Sequence, residues 1–582
     1  MTRFRKILIG FSLLMMATAG LSGQNSAIKR DLIELPKEKL YVHHNSNMIL
    51  TGEPLYYAVY NLKMHDHTLS EYSKIAYIEL INDGSEVVHR QKVRLNGGKG
   101  FGDFIIPMNL TSGPYKLIAY TRMALNNGWS SVFQSDIAII NPYNDNQNKI
   151  ISNDSITDIS QQSKAVWKDS GNNTLLELNK KKYAKREQVK LMLKIPASEI
   201  SNYSFSISVK KVDSLFNGEM NDIKSEFEQV AYNNSTYHVK TIKELPELRG
   251  ELITGSIKNN ENPGSGLYNI QVGLSIPDPV NPIIKVASTN KNGEFFFNIN
   301  REYDSDKAFL EVLSTDAKSY EIAIDHANNL NYDELQFKDF KINENSYSNL
   351  LERSVNNQIE NSYIDVKKDS LIALKKELPF FGSEYIQYNL DDYTRFKTVK
   401  ETVIEFIEGV RLRSDGDNSA HFEVREEGEY NYNNVPGLLI VDGAIITNHN
   451  NLIDYDSRRI EKINVIRDRF YYGGQVYNGI IYAETFDGNF YNTISLSNWK
   501  RIQLFPVNRV KNYNFPLYSN TGANERIPDY RNQLFWNPDL QITETNEVVF
   551  YTSDLDGLFE VALEGVAQNG ELLSMKTYLK VE

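Results

Sequence analysis

His65 and His67 flank Asp66, and in an extended segment alternate side chains fall on one face. The pair could therefore offer two imidazole nitrogens to a metal ion, with His43 and His44 as further donors. The same tripeptide lies between two runs that read as strands, where a polar turn accounts for it equally well. Asp554 and Asp556 before Gly557, and Asp415 and Asp417 around Gly416, put carboxylates at spacings that calcium uses. For the first pair, the position that needs a bidentate Glu holds Leu563, and both pairs suit hairpin turns. The metal question thus stays open between these weak candidates and none. His421 is followed by Glu423, the wrong spacing for a zinc-binding His-x-x-Glu, and no Gly-x-Ser-x-Gly nucleophile elbow occurs. Gly97-Gly98-Lys99-Gly100-Phe101-Gly102 lacks the Lys-Ser/Thr pair and the helix of a phosphate loop, so it reads as a tight hairpin. No catalytic residue and no cofactor is assigned.

Composition narrows the chemistry further. The chain has 582 residues and no cysteine. That excludes disulfide scaffolds, thiolate metal sites, cysteine nucleophiles and a lipid anchor on an N-terminal cysteine. The formal net charge is -12, and residues 1–23 carry Arg3, Arg5 and Lys6 with no acid. Without them the balance is 60 basic (63 minus 3) against 75 acidic residues, or -15. So acidic a chain, with no concentrated basic tract, is not expected to bind nucleic acid.

The elements that must carry any site are mostly strands. Residues 1–23 read as a signal peptide: a basic start, an apolar run from Ile7 to Ala17 too short to span a bilayer, and small residues before Gln24. No later run approaches a membrane span, so peripheral association is expected. Residues 33–141 alternate with period two through about seven short runs separated by turns such as Asn82-Asp83-Gly84, which predicts a β-sandwich. A polar linker follows at 142–173, then a shorter second β-sandwich at 174–245. A third sandwich is expected at 246–340, with a hairpin at Asn292-Gly293. Residues 341–393 form a helical connector in which Leu350, Leu351, Val355 and Ile359 share a face, and a second helix is expected from Tyr393 to Val410. Buried-strand candidates up to Gly488 complete an α+β block at 394–488, and 489–582 returns to strands as a C-terminal β-sandwich.

Several of these segments resemble known families. EKLYVHHNSNMILTGEPLYYAVYNL and GPYKLIAYT are similar to the macroglobulin-like MG2 domains of multidomain exported proteins of the Bacteroidetes. TGSIKN and STNKNGEFFFN, within 249–314, resemble the carboxypeptidase regulatory-like sandwich. VPGLLIVDGAIIT, YDSRRIEKINVIRD and YYGGQVYNGIIYAET resemble a TonB-dependent receptor plug domain, and IPDYRNQLFWNPDL resembles the terminal sandwich of the same exported proteins. The resemblance implies a mainly β fold: serial Ig-like or macroglobulin-like sandwiches with one α+β plug-like domain. Absent cysteine removes the thioester trapping of the best-known macroglobulins. Only 94 residues (582 minus 488) follow Gly488, whereas a transporter barrel needs about twenty strands of about ten residues. The plug-like block is therefore expected to work with a separate chain.

These readings together predict a non-enzymatic protein of the periplasm or the outer membrane, with display at the cell surface as the alternative. Its partner would be an outer-membrane barrel protein or complex, which it serves as scaffold or accessory subunit in transport, secretion or barrel assembly. The alternative is a soluble binding protein that feeds a carbohydrate, peptide or metal to a separate TonB-dependent transporter. Asp154-Ser155-Ile156, Asp213-Ser214-Leu215 and Asp369-Ser370-Leu371 also resemble the O-glycosylation sequon of such exported proteins.

Overall fold

A computed structural model describes residues 37–144, 150–152, 175–195, 202–212, 220–228, 242–263, 266–278, 282–314, 317–325, 330–343, 347–374, 383–416, 419–472, 475–493, 499–518, 526–541 and 546–582. The signal-peptide reading, most of the linker, Asp154, Asp213, Asp417 and Gly473-Gly474 lie outside the described residues. The chain is mainly β and divides into two compact units. Unit 1 comprises Met1–Leu248, Leu330–Ile372 and Asn508–Glu582; unit 2 comprises Arg249–Asn329 and Ala373–Val507.

Unit 1 contains two sandwiches. In the first, a three-stranded sheet (Glu38–His44, Pro54–Lys63, Lys99–Ile105) covers a five-stranded one ordered Met48–Leu50, Phe133–Ile140, Gly113–Tyr120, Ile75–Asn82, Val87–Arg94. Alternation decides what lies between them: Leu55, Tyr57 and Val59 point into a core shared with Ile78, Leu80, Leu117 and Phe133. Gly98, at a φ of 79°, turns the chain into Lys99–Ile105, as the hairpin reading of the glycine-rich run required.

The second sandwich corrects the sequence reading. Two separate modules were expected at 174–245 and 489–582, yet strands from both hydrogen-bond into the same sheets. Gln188–Leu193 pairs with Glu547–Tyr551, and Tyr203–Lys211 lies between Gly557–Ala567 and Gln533–Leu540. The reason is burial. Gln188–Leu193 alternates strictly, with Val189, Leu191 and Leu193 inward; Val548 and Phe550 extend that apolar face in the same sheet, and Val561 and Leu563 of the other sheet share its core. The rest of 489–582 is also divided: Trp499–Gln503 joins a unit 2 sheet, and Lys511–Asn512 pairs with Ser370–Leu371 in unit 1.

Unit 2 holds a sandwich of Glu294–Ile299, Glu251–Asn259 and Tyr320–Ile324 against Ile283–Ser288, Gln271–Ile276, Lys307–Val312 and Trp499–Gln503. It also holds a mixed five-stranded sheet ordered Ile386–Asn389, Ile460–Tyr472, Gln475–Thr485, Leu438–Val441, Ala444–Ile445. Asp442 and Gly443, both at positive φ, reverse the chain after Leu438–Val441. The Asp442 carboxylate fixes that turn by accepting from Thr485 N at 2.7 Å and Phe490 N at 2.9 Å.

The helices are shorter than periodicity suggested. Val399–Phe406 starts on a capping box between Thr398 and Glu401 and stops before Val410, which opens a strand. Residues 341–393 are not one helical connector: the helix is Tyr347–Ser362, and Ile386–Asn389 is a strand. Leu350 packs under it with Met48, Ile140 and Phe340, whereas Leu351 and Val355 are 54% and 46% exposed. Leu350 and Leu351 are about 100° apart around a helix, so only one can face the sandwich, and it takes Ser354 and Asn357 with it. Among the described residues, no helix is long and apolar enough to cross a membrane.

Candidate functional site

The inverted helix defines a cleft of about 480 Å³ in unit 1. Its floor is the outer face of the three-stranded sheet, where Pro54 lies opposite Ile105 and Tyr56 opposite Asp103. The helix Tyr347–Ser362 forms one wall and docks through polar side chains spaced four apart. Arg353 makes a bidentate pair with Glu53 (Nε to Oε1 2.8 Å, Nη2 to Oε2 2.6 Å), and Glu53 also accepts from Leu50 N at 2.9 Å. Asn357 and Asn361 donate to the carbonyls of Thr51 and Gly52, both at 3.2 Å. Burial pushes the Glu53 carboxyl up, but Arg353 outweighs it and holds the group below the ordinary carboxylate range.

The second wall is a two-stranded ribbon, Ser370–Leu371 against Lys511–Asn512. Lys511 pins it: its Nζ lies 2.7 Å from Asp103 and 3.1 Å from Asp369. Tyr513 adds a hydrogen bond to Asp103 at 3.2 Å and stands edge-on against Tyr56 at 5.3 Å. Burial lowers the basicity of Lys511, and the two carboxylates reverse this and hold it above the usual lysine value.

The third wall precedes and begins Gln533–Leu540. Arg531 grips Asp529 at 2.6 and 2.7 Å and donates to the Leu534 carbonyl, while Lys367 pairs with Glu360 at 2.7 Å and Glu360 accepts from Tyr530 N. Ile105, Ile364 and Leu371, all well exposed, lie around the charged floor. The carboxylates Glu53, Asp103, Glu360 and Asp369 each have a cation partner, and among the described residues the lining contains no Ser, Thr or His. Such a surface can bind and orient, through apolar contacts at the mouth and hydrogen bonds deeper in.

The structure scatters the residues that the sequence reading singled out. His65 pairs with Asp66 at 3.0 Å, His67 packs on the Phe227 ring at 5.1 Å, and Asp66 accepts from Thr68. His43 and His44 are buried elsewhere, bonded to Ser206 at 2.7 Å and Ser135 at 2.9 Å. Burial lowers them to about 3 and about 4, so both are neutral. Asp554 has both oxygens on Arg186, each at 2.6 Å, and Asp556 is exposed just before the strand Gly557–Ala567. Among the described residues no group of three His, Cys, Asp or Glu side chains could hold a metal ion. The cleft itself escaped sequence reasoning because its residues run from Asn45 to Gln533. The usable signal was the helix, whose Arg353, Asn357, Glu360 and Asn361 make a polar stripe as regular as its apolar one.

No family model and no curated protein matches the chain. Among solved structures, Salmonella alpha-2-macroglobulin reacted with methylamine is similar at 8% identity over 94% of this chain and 40% of that one, with a TM-score of 0.22. Escherichia coli alpha-2-macroglobulin activated by porcine elastase is similar at 9% identity over 94% of this chain and 44% of that one, with a TM-score of 0.23. A β-glucosidase from Listeria innocua in complex with isofagomine matches 18% of the chain and 16% of its own length at 14% identity, with a TM-score of 0.14. The chain thus spans less than half the length of the macroglobulins it matches. At such TM-scores these likenesses carry no inference, and the serial-sandwich architecture stands on its own strand pairing.

Proposed function

We propose that this chain is a non-enzymatic exported protein of a Bacteroidetes-type cell envelope. It acts as a scaffold or accessory subunit of an outer-membrane barrel complex and receives a partner segment in the unit 1 cleft. The observation that carries the reading is the cleft itself: the four carboxylates in its walls and floor, Glu53, Asp103, Glu360 and Asp369, are spent on internal ion pairs, Asp365 stands out in solvent beside Lys368, and apolar side chains are exposed at the mouth. Catalytic acids and bases need a titratable group left free to exchange a proton, whereas paired walls and an apolar rim suit capture. The finer resemblances point the same way. The Asp442-Gly443 reversal and the pairing of Leu438–Val441 with Gln475–Thr485 support a plug-like reading of 394–488, and the sandwich from Arg249 supports a carboxypeptidase regulatory-like one. The test is photo-crosslinking in intact cells from a reactive amino acid at Ile364 or Leu371, followed by mass spectrometry. An integral barrel protein or a subunit bound to one is expected; crosslinks to neither would overturn the proposal.

A second reading is favoured by the cleft's volume, which lies in the range of small-molecule sites. A soluble binding protein that feeds a transporter would be stabilised thermally by its free ligand, which the scaffold reading does not require.

A further inference from the structure

The pinned ribbon has a second groove on its other side, of about 540 Å³, within unit 1. It shares Lys511 with the cleft and differs from it in chemistry. Three half-buried aromatic rings line it, Phe101, Tyr513 and Phe535, with Phe101 and Tyr513 6.3 Å apart. Asn537 in the lining accepts from Asp539 N at 3.1 Å, and three further asparagines accompany the rings: Asn96 from the hairpin before Lys99–Ile105, Asn508 from the segment leading to the ribbon, and Asn512 from the ribbon itself. Among the described residues the side-chain amides of these three make no hydrogen bond. The cations, by contrast, are engaged. Lys99 pairs with Asp539, Lys511 with Asp103 and Asp369, and Arg94 also has a partner.

We propose that this groove binds an uncharged carbohydrate chain. A free carboxamide presents a donor and an acceptor side by side, which matches a hydroxyl that is both. Aromatic faces accept the apolar C–H side of a sugar ring, and paired cations leave no net charge to select an acidic ligand. An extended peptide fits less well because it needs an open strand edge. Two edge strands border the groove, and neither offers a continuous open edge. In Gln533–Leu540 the carbonyls of Leu534 and Phe535 already accept from Arg531 and Gln533, and in Lys99–Ile105 Lys99 exchanges backbone bonds with Asn96 while Asp103 O accepts from Gln91. The ribbon's backbone is paired with itself. The inference goes beyond the partner-binding reading, since none of the three asparagines lines the cleft.

The test uses the full chain with maltotriose, cellotriose, xylotriose and chitotriose as neutral probes and trigalacturonate as the charged one, read by saturation-transfer NMR at millimolar probe. At least one neutral trisaccharide should bind, and trigalacturonate should not. The Asn96→Ala/Asn512→Ala variant should weaken that binding about tenfold, as expected for two lost hydrogen bonds, with an unchanged thermal midpoint. Ile364→Ser, at the mouth of the cleft, should leave it unchanged. Silence from all four neutral probes, equal binding of trigalacturonate, or full binding by the double variant would each overturn the proposal. Failure of the crosslinking experiment at Ile364 would leave it standing.

Discussion

Replacing Arg353 with Met isolates the interaction that holds the cleft's helical wall. In the native protein Arg353 and Glu53 are about one-tenth exposed and bonded through two nearly parallel contacts. Removing the cation keeps most of the aliphatic volume but leaves a buried carboxylate with only the Leu50 N–H to serve it. Breaking a buried pair from one side costs about 3–5 kcal/mol. Since about 1.4 kcal/mol is a factor of ten, hydrogen exchange across Tyr347–Ser362 should accelerate by about two to three and a half powers of ten. The pH dependence has a definite sign. Native Glu53 sits below its unfolded value, so its contribution is present above the ordinary carboxylate range and lost as the pH falls through the depressed value. Without Arg353, burial, the largest influence on the group, is opposed only by the charge of Lys210 and the Leu50 N–H, so the carboxyl rises and the variant loses less on acidification than the native protein does. Its deficit should therefore be smaller at about pH 5 than at about pH 7. Glu53→Gln/Arg353→Met, with no charge left, should recover part of the loss. Exchange rates that change less than about fivefold, or a deficit that grows towards pH 5, would show that the pair does not hold the wall.

Three further outcomes follow from the packing. Leu350→Ala should cost about 2–4 kcal/mol and the neighbouring Leu351→Ser under about 0.5 kcal/mol, as read from urea denaturation; equal costs would contradict the observed helix orientation. Glu564 is fully buried, accepts from Ile223 N at 3.0 Å, and is raised by burial to about 8. Its contribution is present below its ordinary value of 4.5 and lost as the pH rises to about 8, so Glu564→Gln should flatten the thermal midpoint against pH across that window. Millimolar calcium should leave the thermal midpoint unchanged because Arg186 occupies both oxygens of Asp554, and a rise would reopen the calcium reading.

What the sequence revealed and what it concealed divide along a physical line. Alternation reports which face of a strand is buried, and so the strands of the first sandwich were legible, as was the Asp442-Gly443 turn, whose left-handed backbone is a local demand. Alternation does not report what covers the buried face. Val189 and Phe550 sit opposite each other in one sheet, and nothing local to either position encodes the other. The metal candidates failed for a related reason. His43 and His65 lie close in the chain, but a strand carries His43 into a core with Trp536 while His65 stays on a turn. The cleft was harder still, because the helical apolar stripe suggested burial of Leu351 and Val355 while the polar stripe made the tertiary bonds.

The same limit explains why a linear list of domains misplaced the C-terminal third. Unit 1 is interrupted twice, and the second interruption leaves after Ile372 and returns at Asn508. Those ends are bound side by side: Ile372 N donates to Val510 O at 3.0 Å, and Ser370 lies opposite Asn512. Adjacent ends let a host unit accept an insertion without strain, because its own pairing, here Gln188–Leu193 with Glu547–Tyr551, is left intact. The closure is also what makes the surface useful. One ribbon, held by a single lysine between Asp103 and Asp369, walls a cleft with paired charges on one side and a groove of aromatic rings and free amides on the other. A ligand at either proposed site would therefore touch the strands that carry the chain out of unit 1 and back.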